Sequence, residues 1–180
     1  IKVDRTKAGR VLAGCESGIY LTENGAKSWK RVLPAKATVN ELQQSPHDPK
    51  VWLAATQNDG VFISRNGGLK WTRFESLSSD RSWYSVTFDP TNPQRLATGG
   101  WAYGLRTSED GGATWVDRSA GLAQPERVFK VSVDPDNGRL YANLFRNGLF
   151  VSDDFGRTWR RDGLEGATIY TFAYLSKAAK

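Results

Sequence analysis

The chain has 180 residues, of which 24% are charged and 12% aromatic, and its formal net charge is +6. A chain of this length can fold as one domain and bury about 70% of its extended-chain surface. No stretch approaches the ~20 apolar residues that a membrane helix needs, and the single Cys15 excludes an internal disulfide framework. Because methionine is absent, we expect that a leader, tag or larger N-terminal part precedes Ile1.

Short strands separated by turn residues are expected from the start of the chain. In the first part they lie near residues 1–4, 10–14, 18–21 and 29–33. Between the third and fourth strands lies the octet Thr22-Glu23-Asn24-Gly25-Ala26-Lys27-Ser28-Trp29. A short Asn side chain can close a turn by hydrogen bonding to nearby amides, and glycine supplies positive φ. The octet therefore predicts a turn.

The same order of strands recurs three times. The expected strands are 39–43, 51–55 and 61–64, then 83–88, 95–98 and 105–108, then 128–133, 139–143 and 148–152. Residues 99–104 form an unusual connection, and residues 169–174 predict the first strand of a fifth unit. The only histidine, His47, lies in a turn between prolines with no second ligand nearby. We expect it to be solvated, and we expect no metal site.

The octet also recurs three times. The other copies are Ser64-Arg65-Asn66-Gly67-Gly68-Leu69-Lys70-Trp71, Ser108-Glu109-Asp110-Gly111-Gly112-Ala113-Thr114-Trp115 and Ser152-Asp153-Asp154-Phe155-Gly156-Arg157-Thr158-Trp159. Successive octet tryptophans are 42, 44 and 44 residues apart. A period of this size indicates repeat architecture and suits a four-stranded propeller blade. Two copies fit the pattern fully, whereas Ala26 and Lys70 depart from it.

The pattern Ser/Thr-x-Asp/Asn-x-Gly-x-Ser/Thr-Trp resembles the Asp-box (BNR repeat) of sialidase-type and related propellers. With the preceding Gly-x-Tyr/Phe-x-Ser sequence, the chain is most similar to photosystem II stability/assembly factor-like and xyloglucanase-type propellers. The resemblance implies an all-β propeller of four-stranded antiparallel blades, with about four blades in this chain. The expected blade limits are 1–37, 38–80, 81–124 and 125–166, and residues 167–180 begin a further or closing blade.

The repeated octets are expected to be scaffold, because a fold needs four copies and an active site needs one. Their hydroxyls can add side-chain-to-backbone bonds, and each tryptophan offers a large apolar body for burial whose N–H needs a partner. In Asp-box proteins these turns lie away from the ligand site, and the resemblance implies the same arrangement in this chain. The expected structural residues are Asn24, Trp29, Asn66, Trp71, Asp110, Trp115, Asp154 and Trp159.

Both ends of the chain fall inside a predicted blade, and three arrangements fit this. The chain can be part of a longer propeller, which we favour because propellers of this type usually have six or more blades. Two copies can meet as a homodimer that completes an eight-bladed ring. Alternatively, a four-bladed ring closes on itself when residues 169–174 pair beside residues 10–14, which removes the open edge.

The excess of basic residues raises the question of an anionic partner. Many of them follow an octet tryptophan, at Lys30, Arg31, Arg73, Arg118, Arg160 and Arg161. That position predicts the outermost strand of a blade, where charge protects an exposed sheet edge from aggregation. We therefore favour a solvated edge over an acidic protein partner, and we expect no nucleic acid partner.

Blade topology sorts the loops into two faces. The octet turns lie at one face, and the links between blades and the hairpins between second and third strands lie at the other. Propellers usually bind at the mouth of the central channel, and arginine with exposed aromatic rings is typical of an interface or a sugar-stacking platform. The candidate ligand-binding residues are Arg81, Trp83, Trp101, Tyr103, Arg127 and Arg146. Packing between blades is the alternative for Trp83 and Trp101.

The sequence favours a non-catalytic binding or assembly propeller that recognises a protein or carbohydrate partner through the face opposite the octets. The alternative is a glycoside hydrolase, which needs two carboxylates about 5 to 10 Å apart. The acids expected on this face have no distinctive motif; they are Glu16, Asp59, Asp80, Glu126 and Glu165. No catalytic residue and no cofactor is expected, since nucleophile-elbow, P-loop, zinc and dinucleotide motifs are lacking. An extracellular or periplasmic location is expected.

Overall fold

The computed structural model describes residues 1–34 and 38–175. These residues form sixteen strands in four antiparallel sheets, and each sheet contains four strands that follow one another in the chain. The prediction of an all-β fold with four-stranded antiparallel blades is therefore confirmed. None of the described residues belongs to a helix long and apolar enough to cross a membrane.

Each sheet is one blade, and its strands are numbered in chain order. Blade 1 contains β1 (Lys2–Val3), β2 (Val11–Cys15), β3 (Gly18–Thr22) and β4 (Lys30–Pro34). Blade 2 contains β5 (Val39–Gln44), β6 (Trp52–Thr56), β7 (Val61–Ser64) and β8 (Thr72–Arg73). Blade 3 contains β9 (Trp83–Asp89), β10 (Asn92–Gly100), β11 (Gly104–Ser108) and β12 (Val116–Asp117). Blade 4 contains β13 (Val128–Val133), β14 (Leu140–Leu144), β15 (Gly148–Ser152) and β16 (Arg160–Arg161).

The core lies between neighbouring blades. Every residue of β6 is buried, because alternate side chains point to opposite faces of the sheet and both faces are covered. Trp52 and Ala54 pack with apolar residues of blade 1, whereas Leu53 and Ala55 pack with those of blade 3. A third apolar cluster joins blades 3 and 4. A blade therefore completes its core only against its neighbours.

Residues 99–104 are predicted to form a connection, but Gly99 and Gly100 belong to β10, which extends through Gly100. A Cβ atom on Gly99 would lie 2.4 Å from the Cγ1 atom of Val128 in blade 4. Such a contact is too close for any side chain, so glycine is what lets blade 4 pack closely against this strand. The connection itself is limited to residues 101–103.

The prediction of a strand at residues 169–174 is wrong. The segment lies against blade 4, where the Ile169 amide donates to Asn143 Oδ1 at 2.8 Å and the Tyr174 hydroxyl bonds to Ser132 Oγ at 3.0 Å. Among the described residues, the segment belongs to none of the four sheets. Residues 35–37 and 176–180, where two predicted blade limits fall, lie outside the described residues.

The four octets fold into turns of the same design. In the second octet Ser64 Oγ accepts the amide of Gly68 at 2.8 Å, and Asn66 Oδ1 accepts the amide of Lys70 at 2.8 Å. The equivalent pairs in the other octets are Thr22 with Ala26, Asn24 with Ser28, Ser108 with Gly112, Asp110 with Thr114, Ser152 with Gly156 and Asp154 with Thr158. One hydroxyl and one Asp or Asn oxygen thus satisfy two amides in each turn.

The octet tryptophans are less alike than the repeat predicts. Trp159 donates to the carbonyl of Arg118 in blade 3 at 2.7 Å, and Trp115 packs edge-on against Phe74 of blade 2. Each therefore packs on the preceding blade. Trp29 is 41% exposed in the described structure, so its predicted burial is wrong there. The Nε1 atom of Trp115 is buried and has no acceptor among the described residues, contrary to the expectation that each buried indole finds one.

The two environments predict different costs of truncation. We expect Trp115→Ala to lower the free energy of unfolding by about 2–3 kcal/mol, because it removes a half-buried ring between two blades. Trp29→Ala is the matched control, and we expect it to change this free energy by less than about 0.5 kcal/mol. Urea denaturation followed by fluorescence measures both values. Equal losses for the two variants would contradict the packing described above.

The octet carboxylates also predict a pH dependence. The Thr114 hydroxyl and amide lower the pKa of Asp110 from 3.8 to about 2. Burial tends to raise the pKa of Asp154, but the Thr158 hydroxyl and amide outweigh it and lower that pKa to about 2. A pKa that is lower in the folded state stabilises the fold above the unfolded value, and this stability is lost as the pH falls from about 4 toward 2.

We therefore expect the urea midpoint of the wild type to fall between pH 4 and pH 2. Asp154→Asn should make that fall shallower, because the substituted amide does not titrate. Asp153→Asn, at a neighbouring exposed carboxyl of the same turn, is the control and should keep the wild-type slope. A wild-type slope in the Asp154→Asn protein would show that this turn does not contribute.

Candidate functional site

The two ends of the blades are built from different loops. At one end the octet turns of blades 1, 2 and 3 bond to the start of the second strand or to the turn before it, as when the Gly67 amide donates to the carbonyl of Lys50 at 2.7 Å. At the other end the hairpins between second and third strands bond to the links. The Trp101 amide donates to Ser82 O, and the Phe145 amide donates to Arg127 O, both at 2.9 Å. We name this second end the hairpin face.

Of the six predicted ligand-binding residues, Trp83 is the one that has no free surface. Its side chain is 1% exposed, its Nε1 atom donates to the carbonyl of Ser78 at 2.8 Å, and its ring stacks on Tyr103 at 5.7 Å. Trp83 is therefore a core residue, as the alternative prediction of packing between blades states. Tyr103 is half-buried by this stacking, and the guanidinium of Arg81 lies over its ring at 4.5 Å.

Trp101, Arg127 and Arg146 lie together on the hairpin face. The Arg127 guanidinium lies 4.8 Å from the centre of the Trp101 ring, and the two backbones form an isolated β-bridge. The Arg146 guanidinium lies 5.2 Å from the centre of the Phe145 ring. The Trp101 and Phe145 rings are 5.2 Å apart, so the two cation–π pairs are neighbours.

These two rings belong to an aromatic cluster that spans blades 3 and 4. We define the cluster as Tyr84, Trp101, Phe129, Phe145 and Tyr170. Its consecutive ring centres are 5.2–6.3 Å apart, within the range of favourable aromatic pairs. Tyr170 is 72% exposed and the other four rings are half-buried. The cluster therefore presents apolar surface to solvent.

Sequence reasoning missed Tyr84, Phe129 and Tyr170, although the repeat contains the signal. The three residues occupy the same position in successive repeats, two residues before Val86, Val131 and Phe172 respectively. Tyr84 and Tyr170 each lie 5.3 Å from Phe129, which makes a regular row of rings with one ring per repeat. Asn40 holds this position in blade 2.

The carboxylate of Glu41, next to that row, joins the first strands of three blades. It accepts the Ser85 hydroxyl at 2.6 Å, the Val86 amide at 3.1 Å and the Lys130 ammonium. Ser85 Oγ in turn accepts the amide of Val131 at 3.0 Å. Because Glu41 of blade 2 reaches Lys130 of blade 4, the first strands converge, and they are the inner strands of the blades.

A cavity of about 330 Å³ opens between the row of rings and this junction. Its lining consists of Asn40, Glu41, Tyr84, Phe129, Lys130 and Tyr170. Hollows of about 480 and 550 Å³ lie near the octet turns, and Phe74 is the one aromatic residue in their linings. The cavity beside the inner strands combines several rings with a few polar groups, as ligand sites typically do.

Three carboxylates of the hairpin face are engaged by neighbouring side chains in the described structure. Asp59 lies 3.8 Å from Arg73, and Glu126 accepts a hydrogen bond from Gln124. The pKa of Asp80 is lowered, chiefly by the hydrogen bond from the Ser78 hydroxyl. A glycosidase acid needs a raised pKa, so Asp80 is unsuited to that role.

Metal binding has no candidate in the part of the chain that the structure describes. No group of three or more His, Cys, Asp or Glu side chains there could hold an ion. The exposed His47 bonds through Nε2 to the backbone carbonyl of Asp89 at 2.8 Å, so it links the turns of blades 2 and 3 rather than being simply solvated.

Solved structures share this fold. An ancestral GH74 enzyme matches 91% of this chain with a TM-score of 0.74 and 21% identity. The fold is a β-propeller. A GH74 xyloglucanase from Xanthomonas campestris matches 85% of the chain with a TM-score of 0.68 and 22% identity. The propeller described here spans 24% and 28% of those two chains.

Two curated proteins are similar to the propeller in sequence. A xyloglucanase from Paenibacillus sp is 26% identical over 169 residues, and the photosystem II assembly lipoprotein Ycf48 from Prochlorococcus marinus is 24% identical over 162 residues. These alignments cover 85% and 89% of the chain but 16% and 47% of the relatives, so the chain spans less than half of either. No protein-family model matches it. The predicted similarity to both groups is confirmed.

The contacts of Glu41 predict that the stability of the inner strands depends on the Ser85 hydroxyl. We expect Ser85→Ala to lower the free energy of unfolding by about 1–3 kcal/mol, because it leaves the Val131 amide and one carboxylate oxygen short of a partner. Thr87→Ala is the control, since Thr87 lies on the same strand and its hydroxyl bonds only the adjacent carbonyl of Phe88. Urea denaturation gives both values. A Ser85→Ala protein as stable as Thr87→Ala would contradict the role of the junction.

Proposed function

We propose that this propeller is a non-catalytic binding or assembly module that recognises a protein or glycan partner through the hairpin face. The aromatic cluster is the observation that carries the proposal. Three of its rings line a cavity, and a guanidinium group lies over each of the other two. Aromatic and arginine side chains of this kind supply most of the binding energy in protein interfaces.

Burial within the cluster supports a preformed surface. Four of the rings are held half-buried by their neighbours, so ordering them on binding costs little conformational entropy. Tyr170 is the most exposed ring, and the Arg146 amide is held by the Thr168 hydroxyl at 2.9 Å. A partner therefore meets a surface that is largely rigid.

The name of one relative supports the proposal of a protein partner and adds a proposal for the location. One relative is named as an assembly lipoprotein, which is consistent with a protein partner and with the proposed extracellular or periplasmic location. Octets at the end opposite the cluster serve as scaffold under this proposal. A homodimer that joins two chains into a larger ring is a further proposal, which light scattering of the purified chain can test.

A glycoside hydrolase is the second candidate, because a curated relative and solved neighbours are named as xyloglucanases. The hydrolase needs a carboxylic acid and a second carboxylate across the scissile bond. Glu41 is the carboxylate that lines the cavity, and four donors already occupy it: Ser85, Val86, Gln43 and Lys130. The described geometry therefore favours binding without catalysis.

Selection of peptides from a random display library tests the binding proposal. We expect selected peptides to lose at least about tenfold in affinity when Trp101→Ala and Phe145→Ala are combined. Trp29→Ala removes an exposed tryptophan from the octet end and is the matched control, which should keep the wild-type affinity. Peptides that bind the cluster variant and the wild type equally would place recognition elsewhere.

Incubation with xyloglucan, β-glucans and sialosides tests the alternative. We expect no hydrolysis that depends on a single carboxyl group. The amide variants Asp59→Asn, Asp80→Asn and Glu126→Gln are the sharpest probes, because an amide keeps the shape of the side chain and removes its acid chemistry. Turnover that one of these substitutions abolishes, with binding retained, would overturn the non-catalytic proposal.

A further inference from the structure

Eight of the fifteen arginines form ion pairs within the described residues, and Arg127 and Arg146 of the hairpin face are among the seven that do not. No carboxylate among residues 1–34 and 38–175 lies within ion-pair distance of Arg127 or Arg146. The arginines that do form ion pairs are Arg10, Arg73, Arg95, Arg106, Arg118, Arg139, Arg157 and Arg160. From these unpaired charges we propose that the partner of the hairpin face is an acidic polypeptide segment with aromatic residues. This inference rests on the proposed function.

Stacking prepares both guanidinium groups for carboxylates. Each lies over an aromatic ring, Arg127 over Trp101 and Arg146 over Phe145, so the ring covers one face of the planar group. Planar stacking leaves the N–H donors at the edge of the group, where a carboxylate binds them in pairs. Arg81 is a weaker candidate, because the nearby carboxylate of Asp80 already interacts with its charge.

The backbone of Arg146 gives a second, independent reason. Its φ is +55°, in the left-handed region that ordinary side chains adopt only at a cost. The equivalent hairpin positions are Asn58 in blade 2, with φ +59°, and Ala102 in blade 3, with φ +62°, and asparagine tolerates this conformation best. Of these three positions, Arg146 is the one with a charged side chain, which points to a function of that side chain.

Lys130 supplies a third cation inside the cavity. Its ammonium donates to Glu41, but that carboxylate also accepts bonds from Ser85, Val86 and Gln43. An ammonium has three N–H donors, so Lys130 can keep its bond to Glu41 and donate another to a carboxylate of the partner. An acidic side chain that enters the cavity meets this ammonium, since Lys130 is part of the lining.

Single-stranded nucleic acid is the other polyanion that arginine and aromatic residues can bind, and the ring geometry disfavours it. Bases stack on open ring faces. Here the guanidiniums of Arg127 and Arg146 cover faces of the two central rings, and the remaining rings pack on one another at angles of 31–84°. The free donors at the guanidinium edges fit carboxylates better than this cluster fits stacked bases.

A random glutamate–tyrosine copolymer is the probe, and its affinity for the purified chain is measured by calorimetry. The test variant combines Arg127→Gln with Arg146→Asn, and we expect its Kd to rise at least about tenfold. The control combines Lys30→Gln with Arg31→Gln on the exposed strand β4, which removes the same net charge. Its Kd should stay within about threefold of the wild-type value, because the lost charges are far from the contact.

Stability provides an internal check. Arg146→Asn replaces a strained residue by the one that blade 2 uses, so its urea midpoint should equal or exceed that of the wild type. A loss of copolymer binding in this variant then reflects the missing guanidinium and not misfolding. Lys130→Met should weaken copolymer binding as well, because it removes the cation of the cavity.

Three results would overturn the acidic-partner inference. They are no measurable binding of the copolymer to the wild type, equal weakening in the test and control variants, and tighter binding of an oligothymidylate than of the copolymer. The proposed function is judged separately by display-selected peptides. If those peptides depend on Trp101 and Phe145 but are indifferent to Arg127 and Arg146, the binding function stands and the acidic partner fails.

Discussion

The carboxylate of Glu41 joins the inner strands of three blades, and the row of rings beside it depends on that junction. Its side chain is 9% exposed, so its charge is stable there only because four donors surround it. Ser85 extends the junction to blade 4 by accepting the Val131 amide. Tyr84 and Phe129 lie next to Ser85 and Lys130 in the chain. The spacing of these rings is therefore set by the polar contacts that fix the inner strands.

At the octet end, the octet turn of one blade packs against the preceding blade. A Cβ atom on Gly68 would lie 2.5 Å from a methyl carbon of Leu12 in blade 1, and one on Gly112 would lie 2.3 Å from the Phe74 ring of blade 2. The second glycine of the octet thus permits close contact between blades as well as positive φ. This explains why the octet recurs once per blade.

Strand positions, octet turns and the sorting of loops could be predicted from sequence because they depend on local period and turn chemistry. The remaining features depend on contacts between distant residues. Trp83 resembles a surface aromatic in sequence, but Tyr103 and the carbonyl of Ser78 enclose it. Residues 169–174 have the composition of a strand but belong to none of the four described sheets. The aromatic cluster was only partly predicted, because its rings come from strands, hairpins and the C-terminal segment of the described chain.

The two ends of the propeller differ in how their polar groups are satisfied, and this difference is the strongest reason to place function at the hairpin face. At the octet end Asp110 and Asp154 each accept hydrogen bonds from a hydroxyl and an amide of their own turn. At the hairpin face two guanidiniums rest on rings without a carboxylate partner among the described residues, and one of them sits on a strained backbone. Under the proposed function, a partner that supplies carboxylates completes this arrangement.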